Sequence, residues 1–255
     1  MTDRIKLQRH DGIATLYLDR PPVNAIDTQL IRSLAEQLSQ IEAAGDVRAL
    51  VVTGVGACFS AGLDLKAVPG YTEAEQRDML NTLNGVIGRL YSLAIPTVAA
   101  VNGHAIAGGL VLALTCDYRV GPTSGSCQLG LTEARAGIPF PAAAMTIVQA
   151  ELPAAVARRT TLVARNIGPE AALASGILDE LQPPDQLLAR AHAVAEDLAA
   201  IPRTAYARIK RQLRAPAIAH IERTLSAGDD PMLASWLSAE TPAAAASLLA
   251  RDRKP

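Results

Sequence analysis

Aromatic side chains are scarce in this 255-residue chain, with one Trp, two Phe and five Tyr making up 3% of it. So few rings leave little on which nucleic-acid bases could stack, and 24 basic against 25 acidic residues give a net charge of −1. That balance produces no field to gather a polyanion or an anionic membrane surface. Cysteine is equally sparse. Cys58, Cys116 and Cys127 are odd in number and lack paired metal spacing, and His occurs only at 10, 104, 192 and 220, so no zinc signature can be drawn. The three thiols read as buried and reduced. No apolar run approaches the roughly 18 residues that cross a bilayer, and the polar stretch Met1 to Lys6 has none of the features of a signal peptide. A cytoplasmic enzyme is the expectation. What the chain does have is 49% hydrophobic residues, enough for one large core, or for a core with a small C-terminal appendage.

Read in order, Ile5 to Gln8 and Ile13 to Leu18 predict two strands joined by a hairpin at Asp11-Gly12. Asp27 is placed to cap an amphipathic helix from Thr28 to Ala43, and Arg48 to Thr53 reads as a strand buried on both faces. Alternation of strands and helices through 48–53, 71–93, 97–101, 108–114 and 117–120 predicts a layered α/β core. Gly54-Val55-Gly56 opens like a dinucleotide fingerprint, but Phe59 stands where a further glycine belongs and no helix pattern starts there, so that reading is rejected. From about Glu151 the pattern turns wholly helical, with segments at Pro153–Val163, Pro169–Ser175, Pro184–Ala200, Pro202–Leu213 and Pro242–Leu249 that start at or near prolines. Pro216 and the Gly228 to Pro231 turn are expected to punctuate the tail. Its Ala- and Leu-rich faces exceed what one small helical layer buries, which points to self-association. Lys210, Arg211 and Arg214 suit either a solvated helix face or a phosphate site.

Three features bear on chemistry. In Val101 to Leu114 a strand leads into a glycine pair, Gly108-Gly109, that opens an apolar helix. Such an end is either a tight turn packed in the core or a place where bare N–H groups at the positive end of a helix hold an oxyanion. In Gly54 to Lys66 the run Ser60-Ala61-Gly62 exposes main chain again, and Asp64 is the fixed charge available to hold the loop. Two strand ends with bare donors are what a carbonyl gaining charge in a transition state requires. Third, Glu133 is a lone carboxylate among apolar neighbours. It suits either a capping role or acid/base work with a raised pKa.

Taken together, Arg20-Pro21-Pro22-Val23-Asn24-Ala25, Phe59 to Leu65, Asn102 to Gly109, Gly130-Leu131-Thr132-Glu133 and Gly137-Ile138-Pro139 resemble the enoyl-CoA hydratase/isomerase (crotonase) superfamily over nearly the whole chain. The resemblance implies an α/β spiral of ββα units with a C-terminal helical trimerisation region. The spiral core with its active site would span 1–200, and the oligomerisation region 201–255. It implies an acyl-CoA thioester substrate whose oxygen is held by the N–H groups of Leu63 and Gly108. Val23, Ala25, Ser60, Ala61, Gly62, Leu65 and Gly109 would contribute to the coenzyme A cleft, with Asp64 fixing the loop and Lys66 approaching the phosphates. No metal or separate cofactor is implied, coenzyme A being part of the substrate, and the assembly would be a homotrimer or homohexamer.

Two-glutamate hydratases of the family carry an acid three residues after the oxyanion glycine, and here that position is Val111. Hydration needs both an activated water and a proton donor, whereas moving a C3=C4 double bond to C2=C3 needs one group to carry a proton from C2 to C4. The pattern most resembles the single-glutamate Δ3,Δ2-enoyl-CoA isomerases, with Glu133 as the shuttle. A hydratase drawing on Glu73, Glu75 or Asp78 from the mobile-looking 69–80 segment is the second reading, and an acyl-CoA binder without turnover is the third. Glu133 argues against the binder, which has no need of a carboxylate beside the reacting carbons.

Overall fold

In the computed structural model, which describes residues 4–123, 126–228, 230–232 and 241–251, the chain opens on the expected hairpin. Strands β1 (Ile5–His10) and β2 (Ile13–Leu18) pair from Ile5↔Leu18 to His10↔Ile13, leaving a two-residue loop. Both loop residues, Asp11 and Gly12, have positive φ, the geometry that follows the twist of the strands. Helix α1 (Thr28–Ala43) begins where the Asp27 carboxylate accepts from the Leu30 N–H at 2.8 Å, and buries Leu30, Ile31, Leu34, Leu38 and Ile41 along one face.

A repeating path follows. Strand β3 (Ala49–Gly54) lies in a large sheet and β4 (Cys58–Ser60) in a small one, before helix α2 (Glu73–Ser92). Strands β5 (Thr97–Ala100) and β6 (His104–Ile106) repeat the step and lead into α3 (Gly108–Leu114). Then β7 (Tyr118–Pro122) and β8 (Leu129–Gly130) repeat it again, leading into α4 (Glu133–Ala136) and α5 (Ala142–Glu151). This is a spiral of ββα units. The large sheet has the order β1-β2-β3-β5-β7-β9, parallel after the first hairpin, and the small sheet has the order β4-β6-β8, parallel throughout.

Because side chains alternate across a strand, the large sheet is buried on both faces. Leu16, Leu50, Val52 and Ala99 face the main core with α1, α2, α3 and α5. Ile13, Ala49, Val51, Val98, Ala100 and Val120 face the opposite way, onto Leu187, Ala191, Val194 and Ala195 of helix α8 (Leu187–Ala199).

The expectation of an all-helical chain after Glu151 is corrected at one place. Strand β9 (Glu180–Gln182) pairs in parallel with β7, Val120 opposite Glu180, and closes the edge of the large sheet. Helix α6 (Ala154–Arg158) passes into a π-helical turn over Arg159–Val163, and α7 (Pro169–Ala174) precedes β9. Helix α9 (Arg203–Ala227) runs straight through Pro216, which was expected to interrupt it. Lys210, Arg214, Ala217, Ile218 and Ile221 are buried on both sides of the proline, so packing against α2 and α5 outweighs the one missing backbone donor. The helix ends at Gly228 in the left-handed conformation. Asp229 of the expected Gly228 to Pro231 turn lies outside the described residues. Helix α10 (Thr241–Arg251) is the last element.

Lys210 and Arg214 form neither a solvated face nor a phosphate site. Both are buried, and they meet Asp117 at 2.8 and 3.1 Å, while Arg214 also reaches the Tyr91 and Thr115 carbonyls and stacks 4.0 Å above the Tyr91 ring. Arg211 alone of the three is exposed. Among the described residues no helix is long and apolar enough to cross a membrane. Cys58, Cys116 and Cys127 are free and buried, and burial pushes each thiol up, to about 11 for Cys58 and about 12 for the other two.

Candidate active site

The three strands of the small sheet run in parallel and end on one side, each followed within three residues by a group of chemical interest. Leu63 comes three residues after Ser60 of β4, Gly108 two after Ile106 of β6, and Glu133 three after Gly130 of β8. Pairing of Ser60 with Ala105 and of Ile106 with Gly130 fixes these ends to one another. Ligand groups gathered at the carboxyl ends of parallel strands are a general outcome of such sheets.

The direction of the Leu63 N–H follows from its neighbours. Ile26 donates to the Gly62 carbonyl at 2.7 Å and accepts from the Asp64 N–H at 2.9 Å, so the flanking residues take both Ile26 backbone groups and the Leu63 N–H turns the other way. Gly108 is the first residue of α3, where helical N–H groups have no partner within the helix. It is reached through Ala107, whose φ of 52° is held by an N–H bond to the Gly130 carbonyl at 2.7 Å. A Cβ built on Gly108 would lie 3.7 Å from Gly62 Cα and 4.0 Å from the Leu63 nitrogen, so the two donors are neighbours. Gly62 has a φ of +77°, and a Cβ there would meet the Ile106 carbonyl at 2.8 Å and the Gly108 nitrogen at 2.9 Å. The close approach of the two turns requires this glycine.

Glu133 opens α4 and is 7% exposed. Its Oε2 has no hydrogen-bond partner among the described residues, which is rare for a buried carboxylate oxygen. Burial pushes its carboxyl up from 4.5 to about 8, offset only by its own backbone N–H. Its own N–H is the backbone donor that engages the carboxyl, and Oε2 is left without a partner among the described residues. Val111, in the first turn of α3, is 1% exposed and presents only hydrocarbon.

The other expected site residues fall into two groups. Val23 is 41% exposed, beside Ala61, whose N–H donates to the Val23 carbonyl at 2.9 Å, and Leu63 and Leu65 are partly buried against the core. Lys66 is exposed, and Ala25 is buried in the same turn as Asn24. Ser60 is fully buried, its hydroxyl donating to the Asn24 carbonyl at 2.8 Å and accepting from the Gly62 N–H at 3.2 Å, and Gly109 packs directly on the Ser60 backbone. Asp64 accepts from the N–H groups of Lys66 at 2.9 Å and Ala67 at 3.3 Å. Glu73, Glu75 and Asp78 do not lie on a loose segment. They occupy the first turns of α2, where Glu75 completes a capping box with Thr72, and Asp78 and Glu73 pair with Arg32 and Arg77.

Two polar residues of the turn after β2, to which the sequence pattern assigns no role, hold the site from behind. Asn24, fully buried at a φ of 49°, donates to the carbonyls of Val55, Cys58 and Phe59 and accepts from the Arg20 N–H. Arg20 donates to the Ala25 carbonyl and to Asp64, and forms an ion pair with Asp27.

Residues 8–245 match the sequence profile of the enoyl-CoA hydratase/isomerase family. A putative enoyl-CoA hydratase of Thermus thermophilus is 36% identical over 192 residues, covering 73% of this chain and 74% of its own. The mitochondrial enoyl-CoA delta isomerase 1 of Mus musculus is 31% identical over 192 residues, covering 75% and 66%. The crystal structure of human mitochondrial delta3-delta2-enoyl-CoA isomerase superimposes with a TM-score of 0.92 at 25% identity, over 98% of each chain. The chain belongs to the enoyl-CoA hydratase/isomerase family and has the crotonase fold. Both hydratases and isomerases stand among its relatives.

Proposed function

We propose that the chain is a Δ3,Δ2-enoyl-CoA isomerase. The observation that carries this is the buried carboxylate of Glu133, its Oε2 without a partner among the described residues, at the strand ends that also carry the Leu63 and Gly108 N–H groups, with Val111 in place of a second acid. The thioester oxygen of a 3-enoyl-CoA accepts from both N–H groups. Ionised Glu133 takes a proton from C2, the two donors stabilise the dienolate, and the protonated carboxyl returns the proton at C4. A pKa of about 8 suits a group that must both take and give a proton near neutral pH. The step moves protons only, and coenzyme A arrives as part of the substrate, so no metal or redox cofactor enters.

The hydratase reading gains support from relatives of that name. It would need a second carboxylate, and Glu73, Glu75 and Asp78 are exposed on α2 with partners of their own. Glu133→Gln tests the assignment. It will lower turnover of a 3-enoyl-CoA about 10²-fold or more while leaving coenzyme A binding nearly intact. Near-normal turnover in that variant would end the isomerase reading, and wild-type binding without turnover would favour the non-catalytic acyl-CoA binder.

The proposal extends to assembly and place. Residues 1–200 form the catalytic spiral, and 201–255 join copies of the chain into a homotrimer or homohexamer in the cytoplasm. Ile209 and Leu213 support this, since α9 leaves them 63% and 80% exposed, more apolar surface than a lone subunit has reason to present. Light scattering on the purified protein tests it.

A further inference from the structure

The turn that aims the Leu63 N–H is held by charges that take no part in the chemistry proposed above. Asp64 follows Leu63 directly and is pinned on two sides. Its Oδ1 accepts from the Lys66 and Ala67 N–H groups, and its Oδ2 meets the Arg20 guanidinium at 2.5 Å. The same guanidinium reaches Asp27 at 3.0 Å, the residue that caps α1, and the Ala25 carbonyl at 3.2 Å. Arg20, Asp27 and Asp64 are all largely buried, with side-chain exposures of 20%, 13% and 12%. One guanidinium therefore ties three segments by charge and hydrogen bonds, namely the turn after β2, the start of α1 and the loop carrying Leu63.

We infer that Arg20 is a positioning residue for the oxyanion-binding pair, setting the Leu63 N–H against the Gly108 N–H through Asp64. This rests on the isomerase reading above. Burial alone would push the Asp64 carboxyl up, yet the Arg20 hydrogen bond and charge, with the Lys66 and Ala67 N–H groups, hold it below the usual carboxylate range, so the pair is charged throughout the working pH range. A lysine in place of Arg20 supplies one charge without the fork, and so cannot hold Asp27, Asp64 and the Ala25 carbonyl together. An oxyanion donor displaced by a fraction of an ångström loses transition-state stabilisation while ground-state binding of the coenzyme A moiety is kept.

The test compares wild type with Arg20→Lys, Arg20→Met and Asp64→Asn, and with Glu42→Gln, which removes an exposed ion pair between α1 and α2. Three quantities are measured: kcat and KM with trans-3-hexenoyl-CoA, the carbonyl stretching frequency of bound trans-2-hexenoyl-CoA, and the thermal midpoint. Arg20→Lys and Asp64→Asn are expected to lose about 10-fold in kcat with KM within about twofold, and to shrink the carbonyl shift that the wild type imposes. Glu42→Gln leaves kcat, KM and the carbonyl frequency as in wild type. If Arg20→Met does not fold, Asp64→Asn carries the test, because its side-chain oxygen still accepts from Lys66 and Ala67. Folded variants with wild-type kcat and an undiminished carbonyl shift would overturn this inference alone. A wild-type protein that neither turns over the 3-enoyl ester nor shifts the carbonyl would overturn the isomerase reading, and this inference with it.

Discussion

The Lys210 ammonium sits 2.8 Å from the Asp117 carboxylate, 93 residues away in the chain, with both side chains nearly excluded from solvent. Asp117 also accepts from the Thr97 N–H, the Tyr206 hydroxyl and Arg214, so one carboxylate ties α9 to the start of β5 and to β7. Burial, helped by the Arg214 charge, lowers the Lys210 pKa, and Asp117 is the principal group opposing that.

Removing one member of such a pair leaves its partner short of compensation in a dry site. Lys210→Met is expected to destabilise the fold by roughly 3 kcal/mol or more, seen as a lower urea midpoint at unchanged slope. A midpoint equal to wild type would show that Arg214 and Tyr206 compensate Asp117 on their own.

Glu133 predicts a pH profile. A base must be ionised to act, so kcat/KM for a 3-enoyl-CoA is expected to rise with pH, with a midpoint near 8 rather than near the ordinary carboxylate value of 4.5. Stability moves the other way. The folded-state pKa is raised, so the native chain holds this proton where the unfolded chain has lost it. The contribution is fully present below about 4.5 and is lost as pH rises through about 8. Glu133→Gln removes that dependence and will be more stable than wild type above pH 8. A rate profile flat between pH 6 and 9, or a variant less stable than wild type at high pH, would contradict this account of the carboxylate.

Gly62 predicts a joint loss of activity and stability. Gly62→Ala forces a Cβ into the Ile106 carbonyl and the Gly108 nitrogen at a φ of +77°. The two N–H donors are expected to part, lowering kcat about 10²-fold. Strain will cost about 1–3 kcal/mol of stability. Kinetics and a thermal melt on the same preparation check both figures, and a fully active variant would mean that the donors lie elsewhere.

The parts of the fold legible in the sequence were those with strong local signals. Asp11-Gly12, the Asp27 cap, the two-sided apolar strand at 48–53 and the glycine pair at 108–109 each act within a few residues. Strand β9 was hidden because Glu180-Leu181-Gln182 is three residues long, half-exposed and at a sheet edge, too short to establish a period and without a β-branched residue. Pro216 misled because a proline's local cost is visible in sequence, while the packing that outweighs it comes from α2 and α5. Lys210 and Arg214 misled for the same reason, since their acidic partners lie about 93 and 97 residues upstream, at Asp117. At the site, the bare main chain at 60–62 and 108–109 and the lone carboxylate of Glu133 in apolar surroundings are legible, whereas Leu63 and Gly108 as the donor pair come from the family resemblance. The work of Asn24 and Arg20 is not legible, because each acts through carbonyls and carboxylates from other segments. The one available hint was two polar residues bracketing Pro21-Pro22-Val23 in a turn that could not continue a ladder.

The central claim is that one carboxylate performs the reaction, and it is tested most directly by offering the purified protein trans-3-hexenoyl-CoA and, separately, trans-2-hexenoyl-CoA. Products are followed by mass and by the absorbance of the conjugated thioester. The account predicts conversion of the first ester to the conjugated isomer at unchanged mass, with water added to the second about 10²-fold more slowly or not at all. Rapid gain of one water by the second ester would contradict it, because Val111 offers no group to serve as the second acid.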